Sequence, residues 1–306
     1  ASFRHIIIML PILGSLLLGF VWLRFFRKID SFEPESWKAT FLCLSLGAAS
    51  PYLLDPIIGL SPFLKSLDGK STGAALFQFT LFRVAAVEEL AKLIPFLGIL
   101  LMSRWVDESV DYIKYPALSA MGFATAENIL YSTSYGVDVL HIRGLLCVSG
   151  HIFYTALPGY FLWRSRNQSF LIKLTGLFFG YSLGTICHGA YDFFLFQDEN
   201  AGTALGLFSV LLCVGFMYAF KRMLIHTLKQ SDFYNPAVLE TIISAGRSLF
   251  FGLAGIFIFI GIAKALQTGQ FQAAVSYWQG NMLFAGLGTL VLYGLLALDQ
   301  KDFRKV

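Results

Sequence analysis

Charge is what this sequence has least of. Asp, Glu, Lys and Arg make up 14% of the 306 residues, against roughly 25% in a soluble domain. Such a chain cannot coat a water-facing surface of its own size. Period-two alternation is missing too: runs such as HIIIMLPILGSLLLGFVWL and SLFFGLAGIFIFIGIA are continuously apolar. That excludes the alternating strands, about ten residues each, of a membrane β-barrel. Cysteine is sparse: Cys43, Cys147, Cys187 and Cys213 stand singly in apolar stretches, with neither a C-x-x-C pair nor metal spacing, so a disulfide framework or cysteine metal site is not indicated. There is no H-E-x-x-H, no membrane G-x-S-x-G, no paired-aspartate motif, no 20–50-residue repeat and no low-complexity segment. The net charge of +4 is scattered between apolar spans, so no nucleic-acid partner is expected.

What is present is hydrophobic length. Hydrophobic residues make up 56% of the chain, 31 of them Phe, and apolar stretches of about 20 residues recur from end to end. The chain reads as all-α: a polytopic transmembrane bundle of about nine helices in the lipid bilayer. The expected spans are about 5–23, 38–54, 73–103, 115–136, 141–163, 172–197, 201–220, 246–266 and 279–298. The first is long for a signal-peptide core and lacks a small-residue cleavage site, so it is expected to be retained. The third is too long for one upright crossing, and with Pro95 inside it a kink or break there, or a steep tilt, is expected. With the amino terminus outside, sixteen Lys and Arg fall on the inner side, including Arg104, Arg304 and Lys305. Five fall outside: Arg4, Lys65, Lys70, Arg143 and Lys264. By the positive-inside rule the carboxyl terminus is cytoplasmic, in the cell (plasma) membrane.

Against this background, a few ionisable residues within the spans stand out. Glu88, Glu89 and Lys92 lie in the third span, Glu127 with Asn128 in the fourth, His151 in the fifth, and His188 with Asp192 in the sixth. An ionisable group at mid-bilayer is costly and usually faces the bundle interior. Counted from the outer ends of their spans, Glu88 is about 15 residues deep and Glu127, His151 and His188 about 9 or 10, at 1.5 Å each. Four consecutive helices therefore carry acids and imidazoles at similar depth. Glu88 and Lys92 share one helical face at i, i+4, as do His188 and Asp192, so Asp192 can hold a ring nitrogen of His188. Taken singly, each has a packing explanation: a salt bridge for Glu88 or Glu89 with Lys92 or Arg83, hydrogen-bond glue for Asn128. Taken together, they predict a site.

The ordered set EELAK (88–92), FATAEN (123–128), GHIFYT (150–155) and HGAYD (188–192), with DESVDYI (107–113), resembles the PrsW family of intramembrane proteases. More distantly it is similar to the CAAX-type prenyl-protein endopeptidases, onto which Glu88, Glu89, Phe123 with Glu127, and His188 with Asp192 map. The resemblance covers roughly residues 75 to 232. It implies a protease acting on membrane-anchored, single-pass substrates such as anti-sigma factors. The chain is accordingly taken as one membrane-embedded domain over 1–306, with catalytic core helices in 73–232 and additional helices in 233–306.

Hydrolysis needs a water, a base and a stabilised oxyanion, and two forms of glutamate–histidine chemistry are open. In one, His151 and His188 with one or two of Glu88, Glu89 and Glu127 hold a Zn²⁺-like ion, Glu89 and Glu127 being the carboxylates expected among the ligands. In the other, Glu88 or Glu89 is a desolvated base, and His151, His188 and Asn128 donate hydrogen bonds. A proton-coupled carrier or a non-enzymatic scaffold built on the same buried acid–His cluster remains as a different class of function.

Overall fold

Residues 2–102, 105–201 and 205–303 are described by the computed structural model, apart from the side chains of 2–8, 200 and 201. Arg104, Arg304 and Lys305, which enter the orientation count, lie outside the described residues, as does the side chain of Arg4. Among the described residues, nine helices have 13 or more residues and there is no strand. They are α1 (Ser2–Ile29), α2 (Trp37–Ala49), α3 (Ala86–Leu101), α4 (Asp111–Tyr135), α5 (Val148–Arg164), α6 (Phe170–Ala201), α7 (Gly206–Lys229), α8 (Leu239–Thr268) and α9 (Phe271–Leu296). The protein is an all-α, multi-pass membrane bundle.

Among the described residues, seven helical stretches are long and apolar enough to cross a membrane: Met9–Ile29, Trp37–Gly59, Val139–Arg164, Phe170–Glu199, Gly206–Lys229, Pro236–Thr268 and Phe271–Phe303. The expected spans missing from this set are those of α3 and α4. These two carry Glu88, Glu89 and Lys92, and Asp111, Lys114 and Glu127, and that polarity lowers their hydropathy. Elsewhere large apolar side chains such as Phe178, Phe179, Ile186, Leu211, Phe251, Ile258 and Leu283 are exposed, as a surface solvated by lipid chains requires.

Pro95 does not break its helix; α3 runs through it from Ala86 to Leu101. The irregularity lies upstream, where a π-helical segment, Phe79–Ala85, joins Gly73–Gln78 to α3. A second π segment, Arg143–Cys147, leads into α5. π segments add a residue to the turn and re-aim the side chains that follow, which is why they recur at functional sites. Glu88 and Glu89 follow the first of them, and His151 the second.

The chain divides into two compact units. One contains 35–123 and 149–234; the other contains 1–34, 124–148 and 235–306. In the first, α2 begins at Ser36, whose hydroxyl accepts from the Ala39 N–H at 3.2 Å, a serine N-cap. Close approach is achieved by glycine. Gly176, Gly180 and Gly184 recur every fourth residue along α6, and a Cβ at any of them would collide with α5, at Phe161, at Leu157 and Pro158, and at Tyr154. This small-xxx-small stripe lets two membrane helices touch backbone to backbone. His188 is the next position in the same register, so α6 directs it towards α5. Likewise, Gly47 and Gly122 allow α2 and α4 to meet at the Ser119 and Leu44 carbonyls.

In the second unit, α1 packs on α8 and α8 on α9. Trp22, Phe25 and Phe26 of α1 and Leu249, Ile256 and Ile260 of α8 are buried. Gly269, at φ 70°, caps α8 in the left-handed region where glycine carries no Cβ penalty.

Candidate active site

The polar cluster of the first unit is built by α3, α4, α5 and α6. Lys92 is its centre. Its side chain is wholly buried, and Nζ lies 2.7 Å from Glu89 Oε1, 3.3 Å from Glu88 Oε2 and 2.8 Å from His151 Nδ1. The Phe123 ring lies 4.4 Å from the same Nζ, a cation–π contact in a desolvated setting. An ammonium has three protons and no lone pair, so Glu88, Glu89 and His151 all accept from it. With Nδ1 of His151 accepting, Nε2 carries the ring proton.

Glu89 is held from three sides. Besides Lys92, Thr155 Oγ1 donates to Oε2 at 2.7 Å and His188 Nδ1 donates to Oε1 at 2.9 Å. A carboxylate only accepts, so the proton on His188 sits at Nδ1. That turns Nε2 towards Asp192 Oδ2 at 3.3 Å and Glu88 Oε2 at 3.9 Å. The ring of Tyr154 stacks on His188 at 4.9 Å and 14°, and the His151 and His188 rings meet edge to face at 5.2 Å. Two further bonds fix the frame: Ser119 Oγ donates to the Lys92 carbonyl at 2.6 Å, and the Tyr181 hydroxyl to the Ala86 carbonyl at 2.7 Å.

The two glutamates therefore differ. Glu89 is the more buried, 3% exposed in its side chain against 13% for Glu88. One carboxylate oxygen of Glu88 and one ring nitrogen each of His151 and His188 lie within 4.8 Å of one another. Two imidazoles and a carboxylate are donors of the kind zinc hydrolases use, so the residue types fit a metal centre. The carboxylate that joins the imidazoles is Glu88, whereas the sequence reading puts Glu89 among the ligands.

Glu88, Glu89, Lys92, His151, His188 and Asp192 are thus brought together. Glu127 and Asn128 belong to the other unit, where Arg143 takes both: its Nε donates to Asn128 Oδ1 and its Nη2 to Glu127 Oε2, each at 2.6 Å. Arg143 also covers the Tyr131 ring at 3.9 Å. It is buried in the π-helical segment Arg143–Cys147, where Glu127 neutralises it and Asn128 accepts from it. Arg83, the alternative partner considered for the paired glutamates, donates to the carbonyls of Lys65 and Leu67. Sequence reasoning passes over Thr155 and Tyr154. Thr155 was within reach, being i, i+4 from His151 on the same face of α5.

These elements have known counterparts. The family described as PrsW family intramembrane metalloprotease matches residues 34–220. Relatives named Protease PrsW are similar as well. The Oceanobacillus iheyensis protein is 29% identical over 148 residues, 48% of this chain and 68% of its own length. That of Bacillus subtilis is 28% identical over 182 residues, 60% and 81%, and that of Geobacillus kaustophilus 29% over 196 residues, 63% and 83%. No solved structure matches significantly. The family match spans more than half of the chain and contains Glu88, Glu89, Lys92, His151, His188 and Asp192: the chain belongs to the PrsW family of intramembrane metalloproteases and is an intramembrane peptidase.

Proposed function

We propose that the protein cleaves single-pass, membrane-anchored proteins of the anti-sigma-factor kind, and that Glu88, His151 and His188 handle the hydrolytic water. The observation that carries this reading is the grouping of those three donors within 4.8 Å, held from behind by Glu89. The side chains assign themselves as follows. Glu88, the less buried glutamate, takes the proton of the attacking water and returns it to the leaving amine. Glu89 fixes the Nδ1–H of His188 and keeps the Nε2 face turned towards Glu88, the usual role of a carboxylate behind a histidine. Tyr154 holds the same ring by stacking. His151, with Nδ1 turned to Lys92, presents Nε2–H to the oxyanion.

In a metal-assisted form, Glu88, His151 and His188 would hold a divalent ion such as zinc. When bound, such an ion polarises the scissile carbonyl and acidifies water. A metal-free glutamate mechanism is the second reading, and the Lys92–His151 bond at 2.8 Å favours it, since it places a cation on one of the three donors. For orientation we propose an outer amino terminus and a cytoplasmic carboxyl terminus in the plasma membrane.

The test is reconstitution of the purified protein in proteoliposomes with a single-pass substrate. Cleavage that disappears in Glu88→Gln supports the proposal. Ion flux without cleavage would replace it with a carrier. Loss of activity with a chelator and its return with zinc selects the metal-assisted form.

A further inference from the structure

The Lys92 ammonium occupies the place a small cation would take, and this conflicts with metal binding at two atoms. Were Nε2 of His151 to ligate, it must give up its proton, and Nδ1 would then need to hold one. Yet Nδ1 faces an ammonium that has no lone pair to receive it. Were Nδ1 to ligate, the ammonium at 2.8 Å already covers its lone pair. The same Nζ lies 3.3 Å from Glu88 Oε2, the other arm of the set. A divalent ion among these donors would meet a full positive charge at contact distance, within a largely buried site where screening is weak.

We propose that Lys92 and a divalent metal compete for the same donors, so that Lys92 is the residue that sets the metal affinity of this centre. In the Lys92-held state, His151 is an Nε2–H donor and the charge of Glu88 and Glu89 is balanced from within the chain. In the metal-held state, Nζ has left His151 and Glu88 and retains Glu89 and the Phe123 ring. The inference rests on the reading that Glu88, His151 and His188 are the donors for a metal. It does not require the protein to cleave any particular substrate.

The experiment measures zinc binding directly, by equilibrium dialysis and metal analysis of the full-length protein in detergent. Lys92→Met and Lys92→Gln are compared with the wild type. The neutral variants are expected to bind zinc about 10- to 100-fold more tightly, the range by which groups bordering a ligand set shift metal affinity. Adding His151→Gln to Lys92→Met should remove the gain. Equal or weaker binding by folded neutral variants overturns the proposal, and so does absence of zinc binding in all forms. Should neither variant fold, ¹⁵N NMR of wild-type histidines decides, with His151 assigned through His151→Gln. A metal-free His151 unprotonated at Nδ1 and protonated at Nε2, with that pattern lost on zinc addition, is expected. A proton at Nδ1 in the metal-free protein overturns the inference. Loss of the protease reading shows instead as absent cleavage with the zinc affinities still ordered as stated.

Discussion

Two buried lysines in the same unit are dressed in similar ways, and only one is at the candidate active site. Lys114, at the start of α4, has Nζ 2.6 Å from Asp111 Oδ1 and 3.7 Å from Glu35 Oε1, and lies 4.8 Å from the Tyr115 ring. Lys92 has two carboxylates and the Phe123 ring in the same relation. The difference is in the next set of partners. Around Lys114 they are hydroxyls and backbone: Ser231 donates to Glu108, the N–H groups of Asp107 and Glu108 donate to Asp111, and Ser109 donates to the Thr227 carbonyl. Together these tie segment 107–111 to the end of α7. Around Lys92 the further partners are imidazoles, which can carry a proton or ligate a metal at neutral pH. Buried charge alone therefore marks cohesion as readily as chemistry. Imidazole against carboxylate is the distinguishing feature.

The largest effect expected from this contrast is at Glu88. Glu88→Gln should lower cleavage by about 10²–10⁴-fold, the usual contribution of a general base, while unfolding in detergent is little changed. Glu108→Gln, the matching change in the Lys114 cluster, should leave turnover per folded molecule nearly untouched. Measuring both with one substrate breaks the comparison if the two variants are equally inactive.

Next is Lys114→Met. It strands Asp111 and Glu35 in a buried setting, which typically costs about 3–5 kcal/mol. The expected result is a lower unfolding midpoint and yield, with the folded fraction still cleaving at the wild-type rate. A folded, stable and inactive Lys114→Met protein would move that cluster into the catalytic machinery.

Much of the Lys92 cluster is legible in the sequence because helical spacing is local. Glu88 with Lys92 and His188 with Asp192 are i, i+4 pairs, and both contacts form, at 3.3 Å each. The parts that are not legible join separate helices. Nothing near Glu89 announces Thr155, 66 residues later in the chain, nor does anything near His188 announce the Tyr154 ring. Arg143 is a similar case: it stands near the start of an apolar run, and the partners that hold it, Glu127 and Asn128, lie on another helix. Pro95 leaves α3 unbroken, whereas the π segment at Phe79–Ala85 has no sequence mark.

A moderate effect is expected at Glu89. Glu89→Gln keeps the shape but removes the charge between Lys92 and His188, and its amide can no longer accept from every donor at once. Activity should fall by about 10–100-fold, as when the partner behind a catalytic histidine is lost. Thermal unfolding should shift with it, since Lys92 loses its 2.7 Å ion pair with Glu89 and keeps the longer one with Glu88, at 3.3 Å.

The smallest expected effect, at Asp192, bears most directly on which cluster Glu89 resembles. Both carboxylates face His188, Glu89 at Nδ1 and 2.9 Å, Asp192 at Nε2 and 3.3 Å. The shorter contact belongs to a carboxylate that Thr155 and Lys92 also hold in place, so it is the better anchor for the ring. Asp192 is on α6 itself, one turn from His188, and an Asn amide NH₂ at that position can donate to the unprotonated Nε2. Asp192→Asn should therefore cost no more than about tenfold in turnover, at the low end for such partners, and less than Glu89→Gln under identical conditions. The reverse order would mean that His188 is held from its Nε2 side. Glu89 would then be a charge satisfied for cohesion, like Glu108, and the catalytic imidazole would answer to Asp192.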